Sequence, residues 1–96
     1  MIEPLKLIYA LDNEIRFQIL SLLVTRNYYA CEIPKIIKKS QPAVSHHLSK
    51  LLHLGIVGVK RIGKRRSYYI INDKIKKIMH ILKNPTKNKT HKNIRR

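Results

Sequence analysis

The residues of this chain best suited to chemistry are hydrogen-bonding groups at helical spacing in the stretch SQPAVSHHLSKLLHL, positions 40–54. Pro42, Ser45, His46, Ser49 and His53 fall on one side of a helix, with Lys50 beside them. That side is polar, short and almost uncharged, whereas a solvated helix usually carries Glu and Lys pairs. Such groups suit the edges of base pairs. Gln41 can make bidentate contacts to adenine, and Ser45 and His46 can reach base edges or phosphates. Pro42 and Ala43 offer apolar contact to a thymine methyl. The plainer alternative is a structural helix with a solvated face, which the basic surroundings disfavour. On the opposite side Val44, Leu48, Leu51 and Leu52 recur at helical spacing and are predicted to be buried. His47 lies at the edge of the apolar side and is expected to be packed or half-buried. Ser40 is a good N-cap, and Pro42 sits in the first turn, where a missing N–H costs little.

Little else in the chain points to catalysis. Only 5 acids are present, and no nucleophile–base or paired-carboxylate set is visible. The 5 histidines match no metal motif, since His46 and His47 are adjacent and the others are scattered. Cys31, the single cysteine, is expected to be a small buried hydrophobe. A sensor could be assembled across a dimer from Cys31 with His80 or His91, but no spacing demands it. The expectation is therefore no enzyme, no cofactor, no small-molecule substrate and no metal, with Cys31 the one residue left open. A lone cysteine excludes an intrachain disulfide and suits a reducing interior. No basic segment followed by an apolar run opens the sequence, so no signal peptide is expected. The run Ile19–Val24 is far too short to span a bilayer. The expected location is the cytoplasm, with the nucleoid.

Charge points to the partner. The chain has 96 residues, 21 Lys and Arg, and a formal net charge of +16. Self-repulsion of that size favours a polyanionic partner. The acids are Glu3, Asp12, Glu14, Glu32 and Asp73, so none lies between Ile33 and Asn72. That interval holds Lys35, Lys38, Lys39, Lys50, Lys60, Arg61, Lys64, Arg65 and Arg66. The excess is concentrated around the polar helix, which favours double-stranded DNA.

The remaining elements must hold that helix. A hydrophobic fraction of 44% allows one compact domain. The segment LKLIYAL after Pro4 is apolar almost all round, more than a peripheral helix can bury alone. Asp12 is expected to cap a central helix from Asn13 to about Thr25, with Ile15, Ile19, Leu22 and Leu23 on one face and Phe17, Leu20 and Val24 on the other. A second helix is predicted over about Cys31 to Lys39, with Ile33, Ile36 and Ile37 inward; Pro34 argues for a later start. A tight turn then leads into the polar helix, which Gly55 ends. IVGVKRI and SYYII read as a β-hairpin around Gly63-Lys64-Arg65-Arg66. Lys60, Arg61, Lys64, Arg65 and Arg66 are its candidate phosphate contacts or minor-groove probes. Asn72 caps a last helix, DKIKKIMHILK, with Ile75, Ile78, Met79 and Leu82 as its apolar stripe. A homodimer is predicted through Leu5, Ile8 and Tyr9 together with that stripe. Residues 1–83 form the expected domain, and 84–96 a flexible basic tail.

The order of elements and four strings resemble the ArsR family of winged-helix repressors. The strings are ALDNEIRFQILSLL, CEIPKII, SQPAVSHHLSKLLHLGIV and KRIGKRRSYYII, within about residues 4–72. The resemblance implies a mainly α fold with a small β-hairpin, in the order α-α-α-α-β-β-α. It implies a homodimer built on the first and last helices, a recognition helix in the major groove, a wing on the backbone or minor groove, and repression of transcription. Two sensor sites of the family are not intact. Tyr29 stands where a C-x-C pair would need its first cysteine, and Asp73 is followed by Lys74 and Ile75 rather than by the histidine of an Asp-x-His site. Two other readings stay open: a non-specific architectural nucleic-acid-binding protein, and a module whose basic surface binds an acidic protein.

Overall fold

The computed structural model describes residues 4–83; the proposed tail at 84–96 lies outside the described residues. The elements are α1 (Pro4–Leu11), α2 (Glu14–Leu23), β1 (Tyr28–Tyr29), α3 (Ile33–Ile37), α4 (Gln41–His53), β2 (Val57–Ile62), β3 (Arg65–Ile70) and α5 (Asp73–Lys83). This is the predicted winged helix-turn-helix order with one addition. The short strand β1 pairs antiparallel with β3, Tyr28 opposite Tyr68 and Tyr29 opposite Ser67, and the sheet order is β1-β3-β2. Two residues are too few to show a period of two, so the pattern of the sequence could not announce this strand.

The core forms around α2. Ile19, Leu20 and Leu23 are buried from α2, Ile33 from α3, Val44, Leu48 and Leu51 from α4, and Val57, Tyr68 and Ile70 from the sheet. Ile75 and Met79 of α5 close the same cluster. This corrects the predicted dimer stripe. Ile75 and Met79 are spent within the protomer's own core and have no surface left for a partner. Ile78 is half-buried, and the outward apolar residues of α5 are Leu82 and Ile81, the second of which the stripe omitted. The end of α5 is tied down where Lys83 Nζ donates to the Ser21 carbonyl at 2.9 Å.

Several boundaries move for local reasons. The cap of α2 is Asn13, not Asp12: its backbone is extended and its Oδ1 accepts from Arg16 N at 3.0 Å. Asp12 N instead bonds Ile8 O and so closes α1. The helix ends at Leu23, short of Thr25. Helix α3 has only 5 residues, because Glu32 N bonds Tyr29 O and residues 29–32 turn instead of entering the helix. Pro34 then falls in the first turn, where its ring is tolerated. Lys38 stops α3 in the left-handed region at φ 57°, and Ile36 faces solvent rather than the core.

Helix α4 ends in a Schellman arrangement. Gly55, at φ 76°, donates to Leu52 O, and Ile56 N donates to Leu51 O. The hairpin turn is tighter than expected. Ile62 pairs with Arg65, so only Gly63 and Lys64 lie outside the ladder, and Arg65 and Arg66 belong to β3. Gly63 supplies the positive φ that such a two-residue turn needs at its first position. Across the sheet the Tyr69 ring covers Gly58, where a Cβ would lie 2.6 Å from it.

Leu52 also departs from expectation. It is 37% exposed, because the buried stripe of α4 is narrow and runs through Val44, Leu48 and Leu51. The two neighbouring leucines should therefore respond differently to truncation. Leu51→Ala is expected to cost about 3 kcal/mol, and Leu52→Ala about 1 kcal/mol or less, in urea unfolding followed by circular dichroism. Equal losses would contradict this packing.

Candidate nucleic-acid interface

The face that carries the polar residues of α4 is built from its first turn. Ser40 is extended, and its Oγ accepts from Ala43 N at 3.2 Å, which fixes the direction in which the helix starts. Gln41, Pro42, Ser45, His46 and Ser49 then lie exposed along one side, with Ser40 at its head. Ala43 is half-buried. Lys50 is also half-buried and turns away from that side: its ammonium lies 5.8 Å from the centre of the Tyr9 ring. This cation beside Tyr9, together with Arg16, holds the phenol below its usual pKa.

The wing stands beside this face. Register divides its basic residues between two surfaces. Arg61 lies directly opposite Arg66, on the surface shared with Val59 and Tyr68; Lys60 and Arg65 lie on the other. Two clefts join the wing to α4. One, of about 180 Å³, is lined by Tyr29, Ala30, Cys31, Gln41, Lys64, Arg65 and Arg66. The second brings Arg66 and Tyr68 to Ser45, Leu48, Ser49 and Leu52. Arg66 therefore edges both, between the head of α4 and its middle, and no acid lines either cleft. Like charges directly opposite on a sheet are destabilising, so the Arg61–Arg66 pair costs stability that a phosphate between the two would relieve.

The root of the wing is braced by cations on aromatic rings. Arg26 lies 3.7 Å from the centre of the Tyr28 ring, and Arg65 4.9 Å from that of Tyr29. Glu32 takes the Tyr29 N–H at 2.8 Å and pairs with Arg26 at 3.4 Å. The Tyr29 bond first, then Arg26, holds the Glu32 carboxyl below the usual carboxylate range. Cys31 is exposed in the cleft beside Gln41, not buried as expected, because it lies in the turn before α3 rather than on its inner face. Among the described residues no group of three His, Cys, Asp or Glu side chains could hold a metal ion, and His91 lies outside them.

The residue that sequence reasoning missed is Arg16, which is buried. Its Nε and Nη2 both donate to the Tyr9 carbonyl, at 3.2 and 2.7 Å, and its Nη1 donates to His47 Nδ1 at 3.1 Å. Its Cζ also lies 4.1 Å from the centre of the Tyr9 ring. The signal was present in the spacing: position 16 shares a helical stripe with Ile19, Leu20 and Leu23. His47 is half-buried as expected, and this bond defines its state. A guanidinium can only donate, so Nδ1 must carry a lone pair, and the neutral ring holds its proton on Nε2. Burial first, then Arg16, His46 and Lys50, lowers the His47 pKa from its ordinary 6.5.

Among the described residues no helix is long and apolar enough to cross a membrane. Residues 13–59 match the model of the bacterial regulatory protein, arsR family. An uncharacterized HTH-type transcriptional regulator of Methanocaldococcus jannaschii is 36% identical over 74 residues, 76% of this chain and 83% of that protein. The crystal structure of the transcriptional repressor BigR from Xylella fastidiosa has a TM-score of 0.77 at 26% identity, over 81% of this chain and 80% of that one. A homodimeric winged helix-turn-helix DNA-binding domain from Mycobacterium bovis has a TM-score of 0.77 at 23% identity, over 91% of this chain and 81% of that one.

The depressed pKa of His47 makes stability depend on pH. The folded chain resists protonation that the unfolded chain accepts near 6.5. This contribution is complete above that value and is lost as pH falls through the folded pKa. The melting temperature of the wild type should fall on acidification below about pH 6.5 more steeply than that of His47→Asn, which keeps an acceptor and cannot titrate. Parallel curves would contradict the assignment.

Proposed function

The chain belongs to the ArsR family of winged helix-turn-helix transcriptional regulators, and on that premise we propose that it is a homodimeric repressor of transcription that reads a two-fold-symmetric DNA site. The observation that carries this is the uncharged, hydrogen-bonding face of α4 set beside a wing whose arginines stand opposed without an acid. Gln41, Ser45, His46 and Ser49 read base edges in the major groove, with Pro42 and Ala43 against a thymine methyl and Ser40 at the phosphate. Arg61, Lys64 and Arg66 hold backbone phosphates beside α4, and Lys60 and Arg65 serve the outer side of the wing. Lys50 contributes through the field of the interface rather than by direct contact, since its ammonium is directed to Tyr9.

Pairing of two copies is supported by apolar surface that one protomer leaves uncovered. Leu5 and Ile8 of α1 are 74% and 59% exposed, Tyr9 is exposed beside them, and Ile81 and Leu82 of α5 are exposed at the other end. With Ile78 these residues form the proposed dimer face, and Ile75 and Met79 drop out of it. In such a dimer the recognition helices stand about 34 Å apart, one turn of the duplex. Residues 1–83 act as the DNA-binding domain, and the basic segment 84–96 adds affinity without discrimination. Its place of work is the cytoplasm, on the nucleoid.

The net charge of +16 favours one other reading, a non-specific architectural protein that coats nucleic acid. Selection from random duplexes separates the two. A repressor enriches a palindrome and loses about 10³-fold or more in affinity between about 50 and 200 mM salt when six or more phosphates are neutralised. On the enriched site Gln41→Ala should cost about 1–3 kcal/mol of discrimination at one base pair. Arg66→Ala should weaken all sequences alike and reduce the salt slope by about one. Binding of random duplex within about tenfold of the best selected site would favour the architectural reading instead.

A further inference from the structure

Arg16 is the one charged side chain that is fully buried among the described residues, and neither of the ion pairs found there includes it. Its partners are a carbonyl, a neutral imidazole and the face of a phenol ring. Such a site is expensive: a leucine at the same position of the stripe would avoid the cost of desolvating a cation. What the arginine supplies is direction. Tyr9 lies in the last turn of α1, where its carbonyl takes only a long bond from Asp12 N at 3.3 Å, and the Nε–Nη2 edge of Arg16 closes on that carbonyl. The guanidinium is planar and rigid, so its remaining nitrogen leaves at a set angle, and it ends on His47 in the middle of α4. Lys50 of α4 also lies against Tyr9, its ammonium 5.8 Å from the ring centre.

We propose that Arg16 is a positioning residue for DNA reading, which joins the end of α1 to α4 and so sets the separation of the two recognition helices, and that neutral His47 is the acceptor through which it does so. The inference rests on the dimeric reading, because α1 carries most of the exposed apolar surface assigned to pairing. It goes beyond that reading in naming what converts pairing geometry into reading geometry. Every partner of the tie is accounted for: Tyr9 faces it from α1, Arg16 from α2, and His46 and Lys50 flank His47 on α4. Protonated His47 would present a cation to Arg16, with Lys50 and His46 nearby, and the tie would open. Mild acid should therefore loosen the spacing of the recognition helices.

The test uses the full chain and a palindrome selected with the wild type. Half-sites are moved apart or together by one or two base pairs, and a single half-site serves as reference. Sedimentation velocity is run on each protein. A monomeric wild type would overturn the dimeric reading and this inference with it. With a dimer, Arg16→Gln should stay dimeric and bind the single half-site within about threefold of the wild type, yet lose about tenfold in its preference for the native spacing. An unchanged spacing preference, or equal loss on half-site and full site, would overturn the inference and leave the dimer standing. Should Arg16→Gln fail to fold, pH decides. As pH falls from about 7.5 through the lowered pKa of His47, the wild type should lose its spacing preference and His47→Asn should keep it. The same pH response in both would overturn the inference.

Discussion

A buried cation with only neutral partners sits where three helices meet, and the placement of the reading helix depends on how it is satisfied. Arg16 takes the carbonyl of Tyr9 from α1 and the imidazole of His47 from α4 while its own helix fills the core. Each contact alone is modest, since hydrogen bonds to a charged group contribute about 1.5–3 kcal/mol. The loss of one is larger in effect, because the charge left behind cannot reach water. The three helices are thus tied to a common point in a chain whose small core leaves little redundancy.

On the proposed function, attraction to DNA and discrimination among sequences are divided between elements. The exposed side of α4 is neutral at its head, and the charges stand on the wing beside it. A lysine along the reading face would hold any phosphate and blur the choice of base; the one lysine of α4 is drawn off to Tyr9. The wing carries the opposite compromise. Arg61 and Arg66 repel each other across the ladder, and the free protein bears that cost. Arg26 on Tyr28, Arg65 on Tyr29 and the Glu32 bond to Tyr29 N hold the root of the wing against it.

The helical part of the fold was legible because its signals are local. Ser40 and Gly55 mark the ends of α4, and the spacing of Val44, Leu48 and Leu51 marks its inner face. The polar outer face of α4 followed from the same period. What the sequence concealed depends on how much of a stripe the core can take up. Leu52 and Ile36 look as apolar as their neighbours but lie at the margin, while Ile75 and Met79 look available to a partner but are consumed within the protomer. Strand β1 is too short for a pattern. Arg16 was concealed for a different reason: a charged letter in an apolar period reads as an interruption, although its position is that of a core residue. Cys31 misled in the opposite sense, since a small thiol reads as buried and a two-residue difference in where α3 begins leaves it in the cleft.

The apolar surface left on α1 and α5 and the polar surface of α4 then have a common origin. Helix α2 packs against α1, α4 and α5, so the surfaces assigned to pairing and to reading are carried by one buried helix. Flexing between them would require α2 to slide within a close-packed core, where even a methylene's displacement is felt. Rotation of α4 about its contact with α2 would have to break the Arg16–His47 bond and move Lys50 off Tyr9. Both contacts end on Tyr9 or its carbonyl, in the last turn of the helix that leaves Leu5 and Ile8 exposed. On the dimeric reading proposed above, a partner that immobilises α1 would also immobilise the acceptor to which α4 is tied, and order gained by pairing would pass on to the face proposed to read DNA.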